Sequence, residues 1–339
     1  ADLIAWQAWQ MRQRGVKARA NNQFGRVWHG RAPIMLTSTG PHGCDLLVAL
    51  DATTPAAMCA LLRPIAHLRG VSVRIASPQS IADMVPAGDW REGHADIDAV
   101  SVLATRARAT LALGHYLPIG AAAYRGSKPG QYCTVQHGLL TPQAPPLASG
   151  THLLAWSQAD ADFWRSDRTD VEATTVGSQL LWEAAENQVG TQPGKDARPV
   201  YLGQPHHAEL DQKELIESVE HFCRETGATY RPDPAKRDRR SLAQQRKWEA
   251  NGVEIDSGAQ PLAELNAPVV SAFSSDILVA AARGLPAWVY HENPPQWLVE
   301  LWHRYGMHQW GDSPTPAPQQ PAQAPAKTIA NIVMQMLEA

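Results

Sequence analysis

In parallel α/β sheets ligands sit outside the carboxyl ends of the strands, so the residues able to do chemistry are those that follow each short apolar run. Four such points end in polar or turn chemistry. Gln136-His137-Gly138 follows Tyr132 to Val135, and Gly203-Gln204-Pro205 follows Val200 to Leu202. Pro232-Asp233-Pro234 follows Thr229 to Arg231, and Phe273-Ser274-Ser275-Asp276 follows Val269 to Ala272. His137 stands in a strand-end turn beside Gly138, whose missing side chain lets a ligand or another backbone come close, which suits an acid-base group. In a chain with 13 histidines a lone one is more often structural. Gln136 is placed to orient that imidazole or to meet a ligand hydroxyl. Ser274-Ser275-Asp276 opens Ile277 to Arg283, an almost wholly apolar helix that must be buried and that ends at Gly284. Such a helix aims its N–H groups and positive dipole end at whatever fills the crevice, and phosphate is the natural occupant. A plain serine cap, worth about 1 kcal/mol, is the simpler reading, and both can hold at once. Arg231, at a strand end, has the geometry of a bidentate partner for a diphosphate, whereas Lys236, Arg237, Arg239 and Arg240 read as a solvated helix face.

Other patterns carry less. Asp160 and Asp162 form a D-x-D step, but after Ser157 they read as dipole partners at a helix start rather than metal ligands. Cys44, Cys59, Cys133 and Cys223 lie far apart, with no C-x-x-C pair and no histidine at zinc-ligand spacing, so they are expected to be buried thiols and no metal is expected. His206-His207 reads as loop, and Trp297 with Trp302 as amphipathic core. A G-x-G-x-x-G turn, a P-loop and a G-x-S-x-G elbow are all missing, which argues against dinucleotide redox chemistry, ATP hydrolysis and α/β-hydrolase chemistry.

The elements that must position these residues alternate. Short β-rich runs are expected at Pro33–Ser38, Asp45–Leu50, Val71–Ala76, Ala99–Ala104 and Gln131–Gln136. A second series is expected at Leu153–Ser157, Val171–Val176, Pro199–Leu202, Ala228–Arg231, Val253–Ile255, Val269–Ala272 and Ala287–Tyr290. Helical spacing between them predicts β-α-β units and largely parallel sheets. Ala1–Arg14 reads as a helix. Thr54–Arg69 reads as another, with Pro55 at its first position, Gly70 at its end and a kink at Pro64. Asp211 and Glu214 form a capping box for a helix with Leu215, Ile216, Val219, Phe222 and Cys223 on one face, ended by Gly227.

The 339 residues are a soft prior for two domains. The Pro-rich stretch Thr141–Gly150 is the expected junction, giving a domain over 1–145 and another over 146–311. Residues 312–327 hold five prolines and read as an extended spacer, followed by a helix within 328–339. A formal charge of -3 gives no pull toward nucleic acid or anionic lipid. No apolar run approaches the length needed to span a bilayer and no signal peptide is evident, so a cytoplasmic location is expected.

Taken in order, Gln136-His137-Gly138, Ala155-Trp156-Ser157, Val176-Gly177-Ser178, Leu202-Gly203-Gln204-Pro205, Tyr230-Arg231-Pro232-Asp233-Pro234, and Ser271 to Ala282 with Gly284-Leu285-Pro286 resemble the pattern of GT-B glycosyltransferases. The likeness spans roughly residues 131–290. Within that class it is similar to bacterial surface-polysaccharide transferases, including the polysialyltransferase-like and CDP-glycerol glycerophosphotransferase-like groups. The resemblance implies two Rossmann-like parallel-sheet domains facing a cleft, with a nucleotide-activated sugar donor as substrate and no cofactor. It further implies a glycan or lipid-linked acceptor and peripheral contact with the inner face of the cell membrane during cell-envelope polysaccharide synthesis. Ser274 and Ser275 would meet the donor phosphate with Arg231, Gly203, Gln204, Gln136 and Gly138 around the donor, and His137 would take the acceptor's proton. One departure stands out. Those groups carry His-Pro where this chain has Asp233-Pro234, and a carboxylate there repels a diphosphate unless it meets a ribose hydroxyl or a cation, or acts as a base. A CDP-linked phospho-polyol transferase, a GT-B-like sugar epimerase and a catalytically silent carbohydrate- or nucleotide-binding protein are the alternatives.

Overall fold

The computed structural model describes residues 3–13, 34–39, 43–190, 193–194, 197–203, 209–233, 238–256, 258 and 264–338. The chain divides into two compact units, residues 1–180 with 320–339, and residues 181–319.

The first unit is built on an eight-stranded sheet in the order β4-β1-β3-β2-β5-β6-β7-β8. Its strands are β1 (Ile34–Ser38), β2 (Leu46–Ala49), β3 (Val73–Ser77), β4 (Arg91–Ala95), β5 (Ala109–Ala112), β6 (Tyr132–Val135), β7 (His152–Ala155) and β8 (Glu172–Thr175). From β3 to β8 every pairing is parallel, while β1 runs antiparallel to β3 and β4. Both faces of the central strands are covered, which explains why β2 reads as an unbroken apolar run. Leu46 and Val48 pack on one side, with Ile329, Val333 and Leu337 of the last helix. Leu47 and Ala49 pack on the other, with Val100 and Ala104, Ile119 and Ala122.

The helices of this unit are α1 (Leu3–Gln13), α2 (Pro55–Leu61), α3 (Ile97–Arg106), α4 (Pro118–Gly126) and α5 (Gln158–Arg165). α2 starts where expected, with the Thr54 hydroxyl accepting the Ala57 N–H, but it tightens into a 3-10 turn at Arg63–His67. Pro64 is the cause, since it has no N–H to donate and its ring crowds the preceding turn. The strand expected at Ala99–Ala104 is instead α3. Asp96 accepts the Ala99 N–H as its cap, Val100 and Ala104 are buried and Ile97 and Leu103 pack beside them, a helical spacing within an apolar run that also suits a strand. β4 and β5 flank it.

The expected junction at Thr141–Gly150 is a correction. Residues 146–180 carry β7, α5 and β8 and belong to the first sheet. Prolines do interrupt regular structure there, but the loop is packed: Trp164 Nε1 donates to the Pro145 carbonyl at 2.8 Å and Arg168 Nη1 to that of Leu147 at 2.6 Å. A loop whose carbonyls are held by distant side chains is a fixed crossover, not a linker. The 312–327 segment likewise divides. Thr315 N–H bonds Ala287 in the second unit, and the part from residue 320 belongs to the first unit together with the last helix, α11 (Pro325–Glu338).

The second unit has a five-stranded, all-parallel sheet in the order β11-β10-β9-β12-β13. Its strands are β9 (Val200–Leu202), β10 (Thr229–Arg231), β11 (Glu254–Ile255), β12 (Val269–Ser271) and β13 (Ala287–Val289). Its helices are α7 (Gln212–Thr226), α8 (Arg239–Ala250), α9 (Ser275–Ala282) and α10 (Gln296–Arg304), while α6 (Gln179–Glu186) runs across the division between units. The Asp211 carboxylate accepts the N–H groups of Lys213 and Glu214, and Gly227, at φ +68°, ends α7 in the left-handed region that glycine enters without a steric penalty. The expected parallel α/β architecture is what the structure has.

Candidate functional site

In the second sheet the chain runs from β9 outward to β10 and β11, then returns to β12 on the other side of β9. Strand order therefore reverses between β9 and β12, and the crevice of an open parallel sheet lies at that point. Gly203 and Ser274 follow these two strands. A side chain at Gly203 would run into the Tyr230 hydroxyl, so Tyr230 must shift if any other residue ends β9. The Ser271 hydroxyl donates to the Leu202 carbonyl at 3.2 Å and ties the two strand ends together.

Ser274 is the cap of α9. Its Oγ accepts the Asp276 N–H at 3.1 Å and donates to Asp276 Oδ2 at 3.0 Å. Ser275 is the first helical residue and is half-buried. Five of the eight residues of α9 are buried, as its apolar sequence requires. Burial pushes the Asp276 carboxyl above its ordinary range, the Ser274 hydrogen bond opposes this, and the nearby charge of Asp233 adds to the rise. Two carboxylates thus come to the edge where an anion was expected, and only Asp233 was singled out from the sequence. Arg231 is buried, with Nε 3.3 Å from Asp256 Oδ2, so it neutralises an acid of its own unit. Gln204 lies outside the described residues, as do His206, His207, Pro234, Lys236 and Arg237.

Gln136, His137 and Gly138 follow β6 in the first unit. The Gln136 amide is taken up by the protein: Oε1 accepts the Trp156 N–H at 2.8 Å, and Nε2 donates to the Gly138 carbonyl at 3.0 Å. Trp156 Nε1 returns a bond to the Gln136 carbonyl at 3.0 Å. Gln136 therefore holds the ends of β6 and β7 in register and folds the turn. His137 lines a cavity of about 10 Å³ with Ala56, Ala60, Trp156, Ser178 and Ile329, room for about one water. Its Nδ1 is buried without a hydrogen-bond partner. Burial drives its pKa down to about 4, weakly opposed by the Val135 carbonyl, so the ring is neutral near pH 7. Gly138 has open space where a Cβ would be. His137 as a whole is half-buried, with its Nδ1 shut away from solvent. Gly177, at φ +86°, lies against Pro321 and Pro325, which brings the chain leading into α11 close to this cavity.

The first sheet has its own reversal, between β2 and β5, because the chain moves from β2 to β3 and then back past β2 to β5. Asp51 stands just beyond β2. Its Oδ1 accepts the Ile119 N–H at 2.8 Å and its Oδ2 the Gly120 N–H at 2.7 Å, so it covers the start of α4, whose own cap position is Leu117. Burial pushes its pKa up to about 7 against those two bonds. A side chain at Gly120 would collide with the Gly114 carbonyl oxygen and Asp51 itself. The sequence signal for Asp51 is an acid directly after the apolar run Leu46–Leu50.

These two edges define a mixed α/β protein of two units, one on a largely parallel sheet and one on an all-parallel sheet, each with a point of strand reversal. No protein-family model and no curated protein sequence matches the chain. Among solved structures it is similar to a UDP-GlcNAc 2-epimerase from Methanocaldococcus jannaschii, at 9% identity and TM-score 0.37, over 70% of this chain and 74% of that one. It is similar to an O-GlcNAc transferase mutant from Thermobaculum terrenum, at 11% identity and TM-score 0.46, over 88% of this chain and 63% of that one. A third likeness is to the Anabaena protein HepE in complex with UDP and glucose, at 15% identity and TM-score 0.41, over 87% and 90% of the two chains. With TM-scores below 0.5, none of the three bears on what this chain binds.

Proposed function

We propose that the protein is a glycosyltransferase of the GT-B class, which takes a sugar from a nucleotide-activated donor to a hydroxyl acceptor in the synthesis of a cell-surface glycan. The observation that carries this is the β11-β10-β9-β12-β13 order of the second sheet, with Gly203 and the buried, Ser274-capped α9 at its reversal point. In this reading residues 181–319 hold the donor. The tip of α9 at Ser275 faces the leaving phosphate, and Gly203 with Gln204 lets the nucleotide approach the end of β9. Asp233 meets a ribose hydroxyl rather than the diphosphate. Arg231, paired with Asp256, contributes by holding the β10 edge and not as an unshared cation. The first unit presents the acceptor.

Asp276 beside Asp233 favours a second reading, in which the chain keeps the fold but binds carbohydrate or nucleotide without turnover, since two acids at the edge disfavour a diphosphate. Thermal shifts with UDP, GDP, CDP, CMP and ADP, followed by nucleotide release from the matching nucleotide-sugar, separate the two. A nucleotide at 100 times its Kd should stabilise the second unit by about 2.7 kcal/mol, and Ser274→Ala combined with Ser275→Ala should weaken that nucleotide tenfold or more. No response to any nucleotide leaves the silent protein. A response to CDP or CMP alone points to a phospho-polyol or sialyl-like donor.

A further inference from the structure

We propose that the groove between the edge strand β4 and α3 is a docking surface for an extended, basic segment of a partner protein, which adds to the first sheet as a further strand. Among the described residues β4 pairs only with β1 and ends the sheet, so the backbone N–H and C=O groups along its outer side face no strand. A row of such groups is what an added strand binds with its main chain, and pockets for its alternate side chains supply the choice of sequence. The surface lies wholly within the first unit and goes beyond the transferase reading rather than resting on it.

Three features fit this edge for a ligand. The first is space: an open groove of about 710 Å³ is lined by Leu36, Ala99, Val102 and Leu103, with Asp96 and Asp98 along it. Val102 is 50% exposed, so the apolar wall of α3 is uncovered. The second is the centre of β4. Gly93 pairs with Leu36, and a Cβ at Gly93 would meet nothing within 4 Å, so no side chain of β4 stands over Leu36 there. The third is charge. Sheet edges are commonly guarded by charged side chains, but the Glu92 carboxylate is taken up by its own unit, accepting the Ser80 and Thr37 hydroxyls at 2.9 and 3.2 Å and the Ile81 N–H at 3.2 Å. Asp98 is exposed and makes no hydrogen bond or ion pair among the described residues. No lysine or arginine lines the groove, and His94 is the other ionisable side chain along it.

β1 runs antiparallel to β4, and an added strand that continues this pattern sets one residue opposite Gly93 and another, two positions earlier, opposite Ala95, with both side chains on the groove side. The first meets the wall of Leu36 and Val102 and is apolar. The second, about 7 Å along the strand, comes to the carboxylates that follow Ala95 and is a lysine or arginine. The occupant therefore reads Arg or Lys, any residue, then Val, Ile or Leu. An acidic segment would meet like charge at Asp96 and Asp98.

The test titrates the full chain with the blocked peptide acetyl-Thr-Arg-Thr-Val-Thr-Val-amide, by calorimetry and by amide NMR. Micromolar binding should shift the amides of β4 and α3, and N-methylation of the peptide's edge-facing alternate amides should abolish it. A peptide with Glu in place of Arg should bind about tenfold more weakly or worse. Val102→Glu and Asp98→Lys change exposed positions and leave the core alone, so each should keep the wild-type Tm while weakening the Arg peptide about tenfold. Asp98→Lys should in turn favour the Glu peptide. The proposal is overturned if the Arg peptide does not bind, if the Arg and Glu peptides bind alike, or if binding survives Val102→Glu. Self-association of the free chain in sedimentation that Val102→Glu abolishes also overturns it, because the edge is then filled by a second copy.

Discussion

The two sheets solve the same topological problem with opposite chemistry. Each reverses its strand order, with the start of a helix beside the carboxyl edge at that point. In the first unit that helix, α4, is met by the chain's own carboxylate, Asp51. In the second the helix, α9, is capped by a neutral hydroxyl, Ser274, with Asp276 in its first turn and Asp233 within electrostatic reach. A helix start already carrying an internal anion is closed to phosphate, whereas one capped by serine keeps part of its dipole for a ligand. Topology alone therefore says where a ligand goes, and the capping group says what charge that ligand carries.

The largest test of this contrast compares the glycines at the two edges. Gly120→Ala should destabilise by about 3 kcal/mol in denaturant unfolding, because the new Cβ meets a rigid backbone carbonyl inside a packed core. Gly203→Ala should cost less, about 1 kcal/mol, because its nearest obstacle is the end of the Tyr230 side chain and the nearest backbone atom, the Arg231 carbonyl oxygen, stands 3.2 Å away. Equal losses would mean that the first edge is not the more tightly built.

The next test is pH. Asp51 is raised to about 7 from 3.8, so the folded state holds a proton that the unfolded state has lost, and this contribution to stability fades as pH rises from about 4 to 7. His137 is lowered from 6.5 to about 4, so the unfolded state binds the extra proton and stability grows with pH over nearly the same window. The two slopes oppose each other within one unit. Chemical unfolding from pH 4 to 7 should find Asp51→Asn gaining stability with pH more steeply than wild type, and His137→Asn losing it. Parallel profiles for both variants and wild type would dispose of both buried titrations.

Ser274→Ala gives the smallest effect, about 1 kcal/mol for the lost cap, with Ser274→Gly losing only a few tenths. Were the alanine variant to cost nothing, the hydroxyl would not be holding the start of α9, and the contrast with Asp51 would lose one side.

Much of this frame is legible without coordinates. The second unit's strands fall within a residue or two of their expected ends, because short parallel strands are bounded by turn residues and flanked by capped helices such as Asp211–Gly227. The strand expected at Ala99–Ala104 lies inside helix α3, since an apolar run of that length suits either element and the Asp96 cap is the local sign of a helix. The site was half legible. Ser274 followed from its place before an apolar helix, but the closure of Gln136 on Trp156 and of His137 in its cavity depends on β7, β8 and α11, which are distant in sequence.

Local chemistry, written in the order of residues, determined that this chain alternates strand and helix, where most elements begin and end, and that α9 starts at a serine. Tertiary structure decided which sheet each strand joins, so that 146–180 and the last helix complete the first unit. It also decided that Asp51 and not His137 stands at an edge of strand reversal. The reason is that strand order and burial depend on contacts between residues tens to hundreds of positions apart, and spacing along the chain carries no record of them.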